Sequence, residues 1–305
     1  MSQPSVISIQ SQVAFGHVGN SAAVFPLQLH GIDVVAVPTT LLSNRPGYPT
    51  IRGRELEAEL VADLLRGIEE RGAVESANMI LSGYLGSAEI AAVVADFVTR
   101  AKSRNPSLRY ALDPVLGDRD RGLFVHANIP SEVADRLLPL ADFITPNHFE
   151  FEILCGAKAG TLDRIVAQAR ALIARGPATV VITSAELSDT PENEIETLAI
   201  ERSRVVRVRT PRVPISPNGT GDLFAALFAS ACVLGRDTPE ALAHAASAIS
   251  AVLERTAARG TEEMSIVESA DALVHPKRRF EAVTIEGLMT RRNGRASSPG
   301  GVQQH

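Results

Sequence analysis

Two glycines followed directly by an aspartate, Gly219-Thr220-Gly221-Asp222, form the most chemically suggestive run in the sequence. Glycine tolerates the backbone conformations of a tight turn, and Leu223-Phe224-Ala225-Ala226-Leu227 continues at once with apolar, helical character. The unpaired N–H groups at such a helix start attract a phosphoryl group. An aspartate in the same turn can accept the proton of an attacking hydroxyl. Asp222 is therefore expected to be the catalytic base of a phosphoryl transfer, with the Gly219 and Gly221 amides stabilising the transferred charge. The same four residues could instead be a plain N-cap, since Asp, Thr and Gly are all favoured at helix starts. The small side chains of Ala225 and Ala226 weigh toward chemistry, because they allow close packing around a buried, dry site.

Further carboxylates sit where such chemistry could use them. The apolar run 109–112 reads as a strand ending on Asp113-Pro114, which puts a carboxylate at the carboxyl edge of a sheet, where open α/β folds bind ligands. A second strand over 142–145 ends before Pro146, with Glu150 in the first turn of the following helix. Each has an ordinary alternative, a strand-end turn for Asp113 and a helix-start charge for Glu150, and their joint occurrence weakens it. A Walker A loop is excluded, because Lys102, Lys158 and Lys277 are the only lysines and none follows the required glycine pattern. The dinucleotide fingerprint is also absent after the first strand, where Gly16-His17-Val18-Gly19 has the wrong spacing.

The hydrophobic pattern supplies a scaffold for these groups. Strands are expected over 6–9, 32–37, 78–81, 109–112, 142–145 and 179–183, and helices over 21–30, 55–71, 88–102, 147–155, 162–175, 222–234 and 239–254. Continuously apolar strands alternating with helices imply an α/β fold with a mostly parallel central sheet flanked by helices on both faces. Segments 194–200 and 204–209 alternate as a hairpin and should form an antiparallel edge. The polar stretch 43–53 reads as a loop. The charged stretch 118–124 reads either as a lid over phosphates or as a solvated surface loop. A single domain is expected over 1–289, followed by a disordered tail over 290–305 that is rich in Arg, Gly, Ser, Gln and Pro.

Composition excludes other classes. With 45% apolar and 21% charged residues, the 305-residue chain is globular. A net charge of -5, scattered basic residues and the absence of Trp argue against nucleic acid as a partner. No run approaches the roughly 20 apolar residues of a membrane-spanning helix, and the N-terminus lacks a secretory pattern, so cytoplasmic residence is expected. Cys155 and Cys232, the only cysteines, are too few for a disulfide framework or a zinc cluster and read as free, buried thiols.

Ser8-Ile9-Gln10-Ser11, Gly16-His17-Val18-Gly19-Asn20 and Ser82-Gly83-Tyr84 together resemble the pyridoxal kinase family. Asp113-Pro114-Val115-Leu116-Gly117-Asp118, Thr145-Pro146-Asn147-His148-Phe149-Glu150, Val181-Ile182-Thr183-Ser184 and Gly219-Thr220-Gly221-Asp222 follow in the family's order, so that the resemblance covers roughly residues 5–255. The later runs are shared across the ribokinase-like superfamily, whereas the first two point to pyridoxal kinases.

The resemblance implies a ribokinase-like three-layer sandwich that transfers the γ-phosphoryl group of ATP to the 5′-hydroxyl of pyridoxal in vitamin B6 salvage, with pyridoxine and pyridoxamine as additional substrates. It implies Ser11 on the pyridine ring, with Val18, Pro46, Gly47, Tyr84 and Asp222 around the substrate. Asp113, Asp118, Thr145 and Glu150 resemble the positions for Mg²⁺ and a monovalent cation, K⁺ or Na⁺. Asp113, Asn147, Glu150, Thr183, Ser184, Val213, Pro214, Ile215 and Thr220 resemble the ATP side, and a homodimer resembles the family's assembly. Two positions depart from the pattern. The loop that usually reads Ser-Asn-His-Thr-x-Tyr is Ser43-Asn44-Arg45-Pro46-Gly47-Tyr48, in which proline has no donor to replace the threonine contact. Asn218 stands where a small apolar residue is usual. A hydroxymethylpyrimidine or sugar kinase of the same superfamily, or a noncatalytic vitamin B6 carrier, are the alternatives; residues 8–11 argue against the first and Asp222 against the second.

Overall fold

Strands that look uniformly apolar in the sequence are those whose alternate residues enter two different cores. The computed structural model describes residues 3–286, and the tail expected over 290–305 lies outside them. In chain order the strands are β1 (Ser5–Phe15), β2 (Asp33–Asn44), β3 (Gly53–Glu55), β4 (Met79–Ser82), β5 (Arg109–Leu112), β6 (Gly117–Asp118), β7 (Gly122–Leu123), β8 (Phe143–Ile144), β9 (Thr179–Ala185), β10 (Glu194–Glu201), β11 (Val205–Pro211) and β12 (Val283–Thr284). Ten make one sheet in the order β12-β11-β10-β9-β8-β5-β4-β1-β2-β3, while β6 and β7 pair with each other. The stretch from β9 to β2 is parallel throughout. Antiparallel strands border it on both sides, β10 to β12 at one edge and β3 at the other.

Helices cover both faces: α1 (Asn20–Leu29), α2 (Ala58–Glu70), α3 (Ala73–Ser76), α4 (Ala88–Arg104), α5 (Ile129–Glu132), α6 (His148–Cys155), α7 (Leu162–Ile173), α8 (Thr220–Val233), α9 (Thr238–Arg259) and α10 (Ala270–Val274). Ile7, Ile9, Ile80, Tyr110, Leu112, Ile144 and Ile182 pack with residues of α2, α4, α6 and α7. Their strand neighbours Val6, Met79, Leu81, Ala111, Phe143 and Val181 pack with residues of α1, α8, α9 and α10. The period of two along each strand therefore makes the expected three-layer sandwich. Among the described residues no helix is long and apolar enough to cross a membrane.

Several bounds differ from the sequence pattern, each for a tertiary reason. β1 and β2 continue past 9 and 37 because they pair with each other as far as Phe15 and Asn44, although the alternation is broken by polar residues. The helix expected over 55–71 begins at Ala58, since residues 53–55 are taken up by pairing with β2. The charged stretch 118–124 folds as the small β6–β7 hairpin. β12 returns to the sheet edge as two exposed residues, too short to carry a pattern.

Candidate active site

The start of α8 is built by Gly219 alone. This residue caps the helix in the left-handed region at φ 84°, ψ 0°, with no side-chain cap, and a Cβ there would lie 1.9 Å from the His17 carbonyl oxygen. Gly221 serves a different purpose from the tight turn expected of it. It lies inside the first helical turn without a positive φ, is exposed, and has nothing within 4 Å of its would-be Cβ. Its lack of a side chain leaves the helix start open to a ligand. Gly219 is the cap, as the plain helix-start alternative has it, while Asp222 lies in the first turn and its carboxylate accepts a hydrogen bond from the Gly19 backbone. Asp222 is 9% exposed. Burial raises its pKa to about 6, with the Gly19 bond pulling the other way.

Two more carboxyls are buried nearby at the carboxyl ends of β5 and β8. Asp113, 3% exposed, accepts from Thr145 Oγ1 at 3.0 Å through Oδ1. Its Oδ2 is buried without a hydrogen-bond partner. Burial, and then the charges of Glu150 and Asp222, push Asp113 well above the usual carboxylate range. Val115, two residues on, is held at φ 43°, a strained conformation for a β-branched residue. Glu150 closes a capping box at the start of α6: Asn147 Oδ1 accepts from the Glu150 N–H and Glu150 Oε2 accepts from the Asn147 N–H, both at 2.9 Å. Glu150 Oε1 also accepts from the N–H groups of Leu116 at 2.7 Å and Gly117 at 3.3 Å. Burial lifts Glu150 to about 7 against these bonds, and the Asp222 charge adds to the rise. Among the described residues no basic side chain forms an ion pair with Asp113, Glu150 or Asp222.

The β6–β7 hairpin lies over this region. Asp118 does not join the buried carboxyls but turns to Arg121, whose N–H and Nε donate to Oδ1 and Oδ2 at 2.7 Å each. Burial works to raise the Asp118 pKa, yet the Arg121 bonds and charge hold it below the usual value. Arg121 Nη1 also donates to Asn218 Oδ1 at 2.8 Å, so the unusual asparagine before Gly219 ties the hairpin to the start of α8. Asn147 Nδ2 donates to the Gly117 carbonyl at 2.8 Å, and Asn147 bridges to Thr183. Thr183 N–H bonds the Pro146 carbonyl at 2.9 Å, and Ser184 follows it exposed at φ 50°. Val213, Pro214 and Ile215 form the loop after β11, closed by the Ile215 N–H on the Val213 carbonyl at 2.8 Å. Thr220 Oγ1 donates to the Pro217 carbonyl at 2.9 Å.

On the other side of Asp222, the Gly19 backbone lies between this carboxyl and Ser11. The Gly19 backbone reaches Asp222, and a Cβ on Gly19 would lie 2.4 Å from Ser11 Oγ. Ser11 is buried, Val18 is half-buried in the same loop, and Pro46 and Gly47 are exposed. Tyr84 is half-buried. It donates to Glu55 at 3.3 Å, and burial pushes its hydroxyl up to about 12, with Glu55 adding to the rise. Glu263, which no sequence pattern singles out, closes this side by accepting from Arg45 Nε at 2.7 Å, Tyr48 Oη at 2.8 Å and the His17 N–H at 3.1 Å.

A family model described as phosphomethylpyrimidine kinase matches residues 28–267. The chain is 46% identical to pyridoxal kinase PdxY of Rubrobacter xylanophilus, over 90% of this chain and 96% of that protein. It is 43% identical to pyridoxal kinase PdxY of Leifsonia xyli subsp. xyli, over 90% and 97% of the two chains. Among solved structures it is similar to pyridoxal kinase from Leishmania donovani in complex with ADP and pyridoxamine. That match has a TM-score of 0.86 and 30% identity, and covers 92% of this chain and 99% of the other.

Proposed function

The chain belongs to the pyridoxal kinase family of the ribokinase-like superfamily, and from that premise we propose that it moves the γ-phosphoryl group of ATP to the 5′-hydroxyl of pyridoxal with Asp222 as general base. One observation carries this reading: the buried Asp222 carboxyl, lifted to about 6, sits at an open helix start and accepts from the backbone of Gly19, which packs closely against Ser11. A base with a pKa of about 6 is ionised at neutral pH, yet keeps more proton affinity than an ordinary aspartate. It would take the hydroxyl proton as the oxygen attacks the γ-phosphorus, while the N–H groups of Gly219, Thr220 and Gly221 face the transferred charge. The product is pyridoxal 5′-phosphate, with ADP leaving, and no phosphoenzyme is needed.

Substrate and nucleotide then lie on opposite sides of Asp222. Ser11 would bond the pyridine ring, Val18 and Tyr84 would line its faces, and the backbone of Pro46 and Gly47 would border it. Asp113, Asn147, Glu150, Thr183, Ser184, Thr220 and the loop of Val213, Pro214 and Ile215 would serve ATP. The buried, unpartnered Asp113 Oδ2 offers a cation one free oxygen, and among the described residues no group of three His, Cys, Asp or Glu side chains forms a ready-made metal cage, so phosphate oxygens and water would have to complete the coordination. Asp113, with Glu150 and Thr145 beside it, would hold Mg²⁺ together with phosphate oxygens and water, since Mg²⁺ is commonly held by one or two carboxylates. Held there, the ion would supply positive charge to offset that of the phosphates. We assign a monovalent cation, K⁺ or Na⁺, to the same neighbourhood, with Asp118 the carboxylate least free to serve it because Arg121 occupies it. Pyridoxine and pyridoxamine are included as substrates, residues 1–289 as one kinase domain, and a cytoplasmic homodimer as the working state, for which exposed Phe15, Leu41 and Ile51 offer apolar surface.

The test is to incubate the purified protein with MgATP and a panel of B6 vitamers, hydroxymethylpyrimidine and sugars, and to identify products by mass. Pyridoxal 5′-phosphate is expected. A protein that phosphorylates only the pyrimidine or a sugar, or that binds pyridoxal tightly without consuming ATP, contradicts the proposal.

A further inference from the structure

We propose that Glu263 is a positioning residue for the vitamer site: its carboxylate locks the two substrate-side loops together and fixes the Pro46-Gly47 backbone through Arg45. The inference rests on the pyridoxal kinase reading above and concerns a residue that no motif of that reading includes.

Glu263 lies after α9, 246 residues from one of its partners and 218 from another. Its carboxylate gathers three donors from two loops: the His17 N–H, Arg45 Nε and Tyr48 Oη. Burial works to raise the Glu263 pKa, but the Tyr48, Arg45 and His17 donors hold it low and therefore ionised. Arg45 is 7% exposed and its guanidinium stands 4.6 Å from the Tyr48 ring centroid. Arg45 Nη1 donates to the Pro46 carbonyl at 3.3 Å, and a Cβ at Gly47 would come within 3.1 Å of the same nitrogen. The Pro46-Gly47 backbone thus rests on Arg45, and Arg45 rests on Glu263. The exposed Glu262 carboxylate approaches Arg45 Nη2 at 3.7 Å, so Glu263 is the tighter and more buried of the two partners.

Proline at position 46 makes this support consequential. A loop residue with a hydroxyl could reach for the substrate by rotating its side chain, whereas Pro46 has no donor. Any polar contact from this turn must come from backbone atoms, whose positions are set by what lies underneath. The Gly16-His17-Val18-Gly19 loop is held by the same carboxylate: a Cβ on Gly16 would collide with Glu263 Oε2 at 2.5 Å. Met264, the next residue, touches the chemical end, with Sδ 3.7 Å from Thr220 Oγ1 and Cε 3.0 Å from a would-be Cβ on Gly219. One dipeptide therefore sets the vitamer loops against the start of α8. Removing the carboxylate would leave the buried guanidinium with only the exposed Glu262 as a longer-range ionic partner and would free both loops, a preorganisation loss that falls on substrate binding.

The test uses the full chain and four variants: Glu263→Ala, Glu263→Gln, Arg45→Ala and Tyr48→Phe. The measurements are the KM values for pyridoxal and for ATP, kcat, and pyridoxal binding without ATP, followed by absorbance. Glu263→Ala is expected to raise the pyridoxal KM about tenfold or more while the ATP KM moves less than about twofold. Glu263→Gln and Tyr48→Phe should show the same split at smaller size. Combining E263A with R45A should cost less than the two single changes added together, since both break the Arg45–Glu263 contact. If Glu263→Ala does not fold, the shape-preserving Glu263→Gln and Tyr48→Phe decide by the same split. An unchanged pyridoxal KM in folded variants, or pyridoxal and ATP KM values rising together, overturns the inference. A wild-type protein that neither binds nor phosphorylates pyridoxal instead overturns the reading beneath it.

Discussion

The phosphoryl end and the vitamer end of the site are held in place by different means. Asp113, Glu150 and Asp222 are all buried, repel one another and, among the described residues, form no ion pair with a basic side chain, and their bonds come mainly from backbone N–H groups at Gly19, Leu116, Gly117 and Asn147. The vitamer end is more open and depends on side chains, with Pro46 and Gly47 exposed above an Arg45–Glu263 ion pair. At the first end burial and neighbouring carboxylate charge disfavour the ionised form of Asp113, which a bound cation would relieve, whereas at the second end Glu263 is held ionised by its donors.

That contrast is open to direct attack. At the phosphoryl end, Asp113→Asn should lower kcat/KM on the order of 10²-fold while raising the Tm of the ligand-free protein, because it removes a buried, repelled charge. Retained activity, or a Tm lowered by several degrees in a scanning melt, would break the comparison. The burial of these carboxyls has a pH signature. Burial lifts Glu150 to about 7 and Asp222 to about 6, so these groups stabilise the ligand-free fold fully below the unfolded carboxylate pKa of about 4 and lose that contribution as pH rises through about 6 to 7. The contribution should be on the order of 2 kcal/mol between pH 5 and 8, seen as a difference between wild type and Glu150→Gln in urea melts. Equal pH slopes in the two proteins would remove the basis for the contrast.

At the vitamer end, Pro46→Thr restores a hydroxyl on a loop that stays clamped. The pyridoxal KM should fall about fivefold, the worth of one hydrogen bond, with kcat unchanged; a change in the ATP KM instead would mean that the two ends are not separable. Asn218→Ala should have the smallest effect. It removes the acceptor of Arg121 on an exposed pair, so the ATP KM should rise about twofold to threefold while the pyridoxal KM stays constant.

The layers and the helix start that carries Asp222 were legible in the sequence because both depend on local pattern. Continuously apolar strands such as β4 and β9 announce a sheet covered on two faces, and Gly219 marks the turn into α8 because only glycine fits against the His17 carbonyl. Asp113 and Glu150 were legible for a similar reason, since Pro114 and Pro146 end the strands that present them. What stayed hidden was set by contacts across the chain. β3 forms only because β2 runs on to meet it, and β12 is two residues placed by the edge of β11. Gly221 was read as part of a turn, although its bareness opens space instead. Glu263 has no local signal, because its three partners are assembled by the fold.

The central claim is that Asp222 takes the hydroxyl proton, and the single-turnover rate of Asp222→Asn with saturating MgATP and pyridoxal tests it most directly. The expected result is a loss on the order of 10² to 10⁴-fold in that rate, with pyridoxal affinity kept within about threefold. An Asp222→Asn protein that transfers the phosphoryl group at the wild-type rate would contradict the account.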